Sequence, residues 1–251
     1  MTKILGIIPA RYGSSRFPGK ALAKIGDKSM ISRVYEQASK AQSLSKVVVA
    51  TDHPKIFEHV DDQGGKVFMT SPSHQSGTDR CYEAMEKVSD HFDYVINIQG
   101  DEPFIAPEQI DLLASCLKGG VQLGTLVKKI EDLESWNNPN VVKVLVNHAG
   151  DAIYFSRSPL PYLRNTPPIE WLRAGNCFKH IGIYAYRKDV LEDITMLSQS
   201  PLELAESLEQ LRWIENGYKI KTVETTLESH GIDTPEDLET ARAFLKRRRS
   251  S

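Results

Sequence analysis

The sequence predicts an α/β protein with a mixed, mainly parallel sheet flanked by helices and a small antiparallel lobe. Three observations predict it. Short runs rich in β-branched residues alternate with longer amphipathic segments through the first half, the rhythm of strand-helix-strand units whose crossovers make the strands parallel. Those runs are apolar at consecutive positions, as strands covered on both faces by helices must be. In the second half the strand candidates crowd together, some near enough in sequence to pair as antiparallel neighbours. A chain of 251 residues has ample length for the core this needs.

Taken in order, Ile4, Leu5, Ile7 and Ile8 form the first strand, cut off by Pro9, and the loop after it carries Arg11, Arg16 and Lys20 among Gly13, Pro18 and Gly19. Apolar residues at Met30, Ile31, Val34, Tyr35 and Ala38 give residues 30–41 a helical spacing. Residues 46–50 are a buried strand, and Thr51, Asp52, His53 and Pro54 start a helix that runs through Val60 to the stop at Gly64 and Gly65. Residues 66–69 supply a third strand and 76–88 a helix. A fourth strand over 94–98 ends at Gln99, Gly100 and Asp101. Further on, 124–128, 141–146, 152–155 and 181–186 are strand candidates, while 158–168 carries four prolines and reads as an irregular loop. Helices are expected over 202–215 and 235–246, the second with Asp233 or Thr234 as N-cap and Pro235 at its first position. Without a repeat or a Gly/Ser-rich linker, residues 1–251 are expected to be one domain, with 152–192 as a smaller lobe.

Charge is nearly balanced at −2, so no field of one sign points to nucleic acid or a lipid surface. The basic run Lys246, Arg247, Arg248 and Arg249 suits a solvated helix end. Cys81, Cys116 and Cys177 are odd in number and far apart, which fits reduced, packed thiols better than a disulfide framework or a thiolate metal site. No signal-peptide pattern precedes Ile4 and no apolar run approaches the ~20 residues of a membrane helix, so a cytoplasmic protein is expected.

Ligands of open α/β sheets sit outside the carboxyl ends of the parallel strands. Three polar clusters fall there: Arg11 to Lys20, His74 to Arg80, and Gln99 to Glu102. The first has the glycines and cations that hold a polyphosphate, though an ordinary basic loop has them too. It is no Walker A loop, because Pro18 interrupts it, the spacing from Gly13 to Gly19 is too long, and Ala21 stands where a Ser or Thr would hold magnesium. Nor does it contain G-x-G-x-x-G, which argues against a nicotinamide enzyme. In the second cluster Gln75, Ser76 and Thr78 at a helix start suit a base edge or ribose, or simply cap the helix. In the third, Asp101 at a strand tip with Glu102 beside it suits Mg²⁺ held against substrate phosphates, or is merely a turn acid.

Nine stretches in order, IIPARYGSSRFPGK, ATDH, HQSGTDR, QGDEP, NPN-VVKV, YFSRSPLP, KHIGIYAYR, PLELAESLEQLR and GIDTPEDL, closely resemble the 3-deoxy-manno-octulosonate cytidylyltransferases, or CMP-Kdo synthetases. The resemblance covers nearly the whole chain. It implies a nucleotide-diphosphosugar transferase-like (Rossmann-like) fold and a cytoplasmic homodimer that joins CTP to Kdo with Mg²⁺ and releases pyrophosphate, for lipopolysaccharide synthesis. It further implies that Arg11, Arg16 and Lys20 bind the triphosphate, that Ala10, Ser76, Gly77 and Thr78 lie near cytosine and ribose, and that Arg80 and Gln99 belong to the nucleotide side. Asp101 and Asp233 match the metal ligands and, with Lys20 and Arg16, the catalytic set. Gln99, Arg157, His180, Tyr184, Glu209 and Gln210 match the sugar side, with Arg157 as partner of the Kdo carboxylate and 152–192 as the sugar-binding and dimerisation lobe. Plainer readings are a satisfied core histidine for His180 and an exposed helix face for Glu209 and Gln210. Leu163 to Trp171 matches nothing in the family. Rival functions are transfer to a related sugar acid (8-amino-Kdo or sialic-acid type), a metal-dependent glycosyltransferase, and a non-catalytic nucleotide sensor.

Overall fold

In the computed structural model, which describes residues 2–13, 17–167, 170–174 and 177–250, strand follows helix as the sequence rhythm requires. The chain runs through β1 (Ile4–Ala10), the short hairpin β2 (Lys24–Ile25) and β3 (Lys28–Ser29), α1 (Met30–Ala38), β4 (Lys46–Thr51), α2 (Pro54–Asp61), β5 (Val67–Met69), α3 (Gly77–Lys87), β6 (Tyr94–Asn97) and α4 (Pro107–Ser115). There follow β7 (Leu123–Lys129), α5 (Leu133–Asn137), β8 (Lys143–Val146), β9 (Ala152–Ser156), α6 (Trp171–Ala174), β10 (Phe178–Arg187), α7 (Lys188–Thr195), α8 (Pro201–Glu206), α9 (Gln210–Glu215), β11 (Ile220–Glu224) and α10 (Pro235–Ser250). Two compact units result, one of residues 1–111 with 228–251 and one of residues 112–227. No helix among the described residues is long and apolar enough to cross a membrane.

The first unit is a parallel sheet in the order β6-β1-β4-β5. Leu5, Ile7, Ile8, Val48, Val49, Val95 and Ile96 are fully buried, which is why both faces of these strands read as apolar. β1 does not stop at Pro9 as expected but continues to Ala10. Alternate residues of a parallel strand turn their polar groups to opposite neighbours. Ile7 faces β6, where its carbonyl accepts from Ile98 N–H, so Pro9 faces the same way. The register with β6 ends at Ile7 and Asn97, so the missing N–H of Pro9 costs no ladder bond. α10 closes this unit by packing Leu238 and Ala241 with Ile25, Met30 and Ile232. It extends four residues beyond the expected end, through the basic run to Ser250.

In the second unit β7 pairs in parallel with β11 and antiparallel with β10; β10 pairs with β8, and β8 with β9, both antiparallel. The antiparallel expectation is met, and β11 is a strand the sequence reading lacked. The single helix expected over 202–215 is two. Ser207 takes a left-handed conformation at φ 52, and Leu208 N–H turns back to Glu203 O at 3.3 Å, so α8 ends and α9 starts afresh. Within Leu163 to Trp171, the Trp171 indole donates to Thr166 O at 2.6 Å and its ring packs near Trp136 beside the buried Cys177. Cys81 is buried too and Cys116 partly so, all three as free thiols.

Candidate active site

A cleft of about 280 Å³ opens where β1, β6 and α3 meet in the first unit. Its lining includes Ala10, Arg11, Lys20, Ser76, Gly77, Arg80, Gln99, Asp101 and Asp233, so nine of the residues singled out from sequence come together here. Arg16 lies outside the described residues. Thr78 is buried at the start of α3 and lies outside the cleft lining.

Gly100 shows why the strand ends can approach so closely. A Cβ there would stand 2.6 Å from the carbonyl oxygen of Pro9, a clash with backbone that only glycine avoids. The loop after β1 is closed by Gly19 N–H donating to Tyr12 O at 2.9 Å, with Gly19 at φ 71, and Lys20 opens the single 3-10 turn that follows. At the far side of this loop Asp52 accepts from Tyr12 N–H at 3.3 Å and from the Arg80 guanidinium at 2.9 Å. Arg80 is buried and also donates to Thr70 Oγ1 at 2.6 Å, so its charge both lines the cleft and braces the loop. The bracing role of Asp52 escaped the sequence reading, in which it marked only a helix start. Tyr12 completes the brace by stacking on His53, with ring centroids 4.0 Å apart.

Lys20 reaches into the cleft, its Nζ 2.6 Å from Asp101 Oδ2, 2.9 Å from Asp233 Oδ1 and 3.3 Å from Ile232 O. The two acids are 81 and 213 residues away in sequence. Their meeting depends on Ile232, whose side chain is buried in the α10 cluster and whose N–H donates to Asp101 O at 2.9 Å. Thr234, not Asp233, caps α10: its hydroxyl accepts from Asp237 N–H while the Asp237 carboxylate accepts from Thr234 N–H. Asp233 is thereby spared for the cleft. Burial pulls the Lys20 pKa down, but the Asp101 charge and the bonds to both acids outweigh it, and the net shift is upward. Glu102 is pushed up to about 7 by burial and by the Asp101 charge, against a bond from Ser229. Its Oε2 is buried without a hydrogen-bond partner among the described residues.

The α3 edge is polar for a different reason. Ser76 caps α3 through a reciprocal box with Asp79, at 3.1 and 3.2 Å. Behind it Glu83 holds His74, Lys87 and Ser71 N–H; burial opposes its charge, yet these donors bring its pKa down to about 2.

The sugar-side residues other than Gln99 lie in the second unit. His180 on β10 shares a hydrogen bond with Thr125 Oγ1 at 2.9 Å, and loss of water lowers its pKa to about 3, so the ring is neutral at pH 7. Thr125 donates onward to Ile183 O at 2.8 Å, which assigns the shared proton to His180 Nε2. The Tyr184 ring lies 5.0 Å from that of His180, and its buried hydroxyl has no hydrogen-bond partner among the described residues. Burial and the charges of Tyr186 and Glu209 raise its pKa. Glu209 precedes α9 and pairs with Arg212 at 3.2 Å, while Gln210 is buried. Arg157 donates to Glu206 O, Pro139 O and Ser207 O. His180 is thus hydrogen-bonded as the plainer reading expected, and the buried Gln210 departs from an exposed helix face.

Residues 5–222 match the cytidylyltransferase family model. The 3-deoxy-manno-octulosonate cytidylyltransferase of Cytophaga hutchinsonii is 58% identical over 94% of each chain, and that of Parabacteroides distasonis is 55% identical over 99% of this chain and all of its own. The chain belongs to the 3-deoxy-manno-octulosonate cytidylyltransferases. A solved CMP:2-keto-3-deoxy-manno-octonic acid synthetase in complex with CTP superposes with a TM-score of 0.91 at 44% identity, covering 98% of this chain and all of that one. The 4-diphosphocytidyl-2C-methyl-D-erythritol synthase of Anaerococcus prevotii, 14% identical with a TM-score of 0.65 over 98% of this chain and 99% of its own, shares the fold alone. The chain is a nucleotidyltransferase, so the glycosyltransferase and sensor readings fall away. For a divalent cation the cleft offers a hard-oxygen donor set, the carboxylates of Asp101 and Asp233, which already converge on one cation. That set fits Mg²⁺, which takes one or two protein carboxylates and leaves its other positions to water and phosphate.

Proposed function

We propose that this chain couples CTP to 3-deoxy-D-manno-octulosonate (Kdo), forming CMP-Kdo and pyrophosphate for lipopolysaccharide synthesis. The observation that carries the reading is the meeting of Lys20, Asp101 and Asp233 in the cleft at the β1 and β6 ends. The triphosphate lies along Arg11, Arg16 and Lys20. Cytosine and ribose lie near Ala10, Ser76, Gly77 and Thr78, with Arg80 and Gln99 on the same side. Asp101 and Asp233 hold Mg²⁺, which when bound neutralises phosphate charge.

Gln99, Arg157, His180, Tyr184, Glu209 and Gln210 take the sugar acid. Two features of their surroundings support this assignment: the Tyr184 hydroxyl is a donor buried without a partner among the described residues, and the neutral His180 offers a ring held in one tautomer. The anomeric C2 hydroxyl of Kdo attacks the α-phosphorus in line; the new C2–O–P bond forms as the bond from the α-phosphorus to the bridging β-phosphate oxygen breaks, pyrophosphate leaves with the electron pair, and the hydroxyl proton passes to solvent. Phosphoryl transfer of this kind depends on positioning and charge balance more than on covalent help. Lys20 and Arg16 balance the charge on the leaving group. The protein works in the cytoplasm as a homodimer in which 152–192 contributes to the dimer contact; the half-exposed Ile153 on β9 supports that surface.

The test is pyrophosphate release from CTP and Mg²⁺ with a panel of sugar acids: Kdo, 8-amino-Kdo and a sialic acid. Kdo is expected to give the highest kcat/KM. A higher value for either of the others would transfer the assignment to that sugar.

A further inference from the structure

The second unit holds an ion cluster to which the reaction assigns no role beyond Arg157. Lys143 is fully buried on β8, yet among the described residues its Nζ donates only to backbone, to Asn138 O at 2.9 Å and Val141 O at 2.6 Å. Arg157 donates in the same manner to Pro139 O at 3.1 Å, Glu206 O at 2.7 Å and Ser207 O at 3.4 Å. The anion whose charge acts on both cations is Glu206. Its carboxylate accepts from Ser156 Oγ at 2.6 Å, from the backbone N–H of Arg157 at 2.9 Å and from Tyr154 OH at 3.5 Å.

These bonds converge on two pieces of chain. One is the turn 138–142, whose carbonyls at 138, 139 and 141 are taken by the two cations and whose Val142 O accepts from His180 N–H at 2.8 Å. The other is the α8–α9 junction, where Arg157 satisfies the last carbonyls of α8 at the left-handed Ser207, just before Glu209 and Gln210. We propose that Glu206, through Arg157 and with Lys143, is the positioning residue that sets His180, Glu209 and Gln210 for the sugar acid. It touches no substrate. Its carboxylate holds the Ser156 hydroxyl and the Arg157 main chain, and the Arg157 guanidinium, bonded to the carbonyls of Glu206 and Ser207, holds the junction that leads into Glu209. Arg157 carries five N–H donors and spends three on these carbonyls, so holding the junction is compatible with meeting a carboxylate.

This inference rests on Glu209 and Gln210 contacting the sugar acid. Four variants separate the two: Glu206→Gln, Glu206→Asp as its conservative rescue, Ser156→Ala as a milder loss of one bond to the same carboxylate, and Glu209→Gln as a control on the sugar reading itself. Steady-state kinetics are measured with Kdo and with CTP varied in turn, alongside melting temperature. Glu206→Gln should raise KM for Kdo by about tenfold, less than the ~10²-fold that a misplacement of about 1 Å can cost, with KM for CTP within about twofold of the parent. Ser156→Ala should do the same to a lesser degree, and Glu206→Asp should recover part of the loss. An unchanged KM for Kdo in folded Glu206→Gln, or in Ser156→Ala where the former does not fold, overturns the proposal provided Glu209→Gln raises it. Equal rises in both KM values reduce Glu206 to a merely structural role and also overturn it. If Glu209→Gln itself leaves KM for Kdo unchanged, the sugar assignment fails and the proposal falls with it.

Discussion

The two units each carry a three-member ion cluster, and the clusters have opposite excess charge. In the cleft one cation, Lys20, faces two carboxylates, Asp101 and Asp233. In the second unit two cations, Lys143 and Arg157, feel the charge of one carboxylate, Glu206, which bonds Arg157 through its backbone N–H. Their partners differ as well. Lys20 is held chiefly by side chains, which exchange partners when a ligand arrives, whereas Lys143 and Arg157 are held by backbone carbonyls, which cannot leave without unfolding a turn. The lesson is that a cation held by side chains can trade them for a ligand, whereas one held by main chain braces the scaffold and meets a ligand only with the donors it has left over, as Arg157 does.

The largest effect expected from this contrast is on turnover. Lys20→Ala or Asp101→Ala should lower kcat by about 10²-fold or more with little change in melting temperature, the range for losing one electrostatic stabiliser. Normal turnover in either folded variant would remove that residue from the mechanism. Lys143→Met should do the reverse. Losing the donor to two buried carbonyls is expected to cost about 2–3 kcal/mol in urea unfolding; a loss below about 0.5 kcal/mol would place Lys143 among surface charges.

A smaller effect sharpens the idea of exchangeable partners. Because the Lys20 ammonium stands on the same two carboxylates assigned to the metal, Lys20→Met should bind Mn²⁺ about tenfold tighter without nucleotide, measured by electron paramagnetic resonance; removal of a like charge a few ångströms away is worth that order. Unchanged or weaker binding would break the comparison at its centre. The smallest effect concerns acid. Burial alone would raise the Glu206 pKa, but the bonds from Ser156, Arg157 N–H and Tyr154 bring it below 4.5. A lowered carboxylate stabilises the fold above its unfolded value and loses that contribution as pH falls through the folded value. The stability advantage of the parent over Glu206→Gln should therefore shrink as pH drops below 4.5, and an advantage that grows would show the carboxylate is not favourably held.

Much of the first unit was legible in sequence because its strands announce themselves locally. KVVVA and YVIN are β-branched runs between turn signals, and both became strands buried at every position except Lys46. The Arg11 to Lys20, His74 to Arg80 and Gln99 to Glu102 clusters follow strands in sequence, so the rule for strand ends placed them at one cleft. The break at Ser207 was not legible, since LELAESLEQLR keeps a helical pattern across it and only tertiary bonds to Arg157 favour the left-handed turn. Asp52 was read as a helix start for the same reason: its partner Arg80 lies 28 residues on.

What the sequence by itself determined is the set of elements, the three polar strand ends and, through nine ordered motifs, the family. Only the tertiary structure decided that Thr234 caps α10 while Asp233 turns to Lys20, that Gly100 must be glycine beneath the Pro9 carbonyl, and that Arg157 and Lys143 spend their charge on backbone. The physical reason is one of range. Periodicity, capping and turn chemistry act within a few residues and are written in the local order of the chain, whereas an ion's partners are fixed by whichever distant groups the packed core brings within about 3 Å.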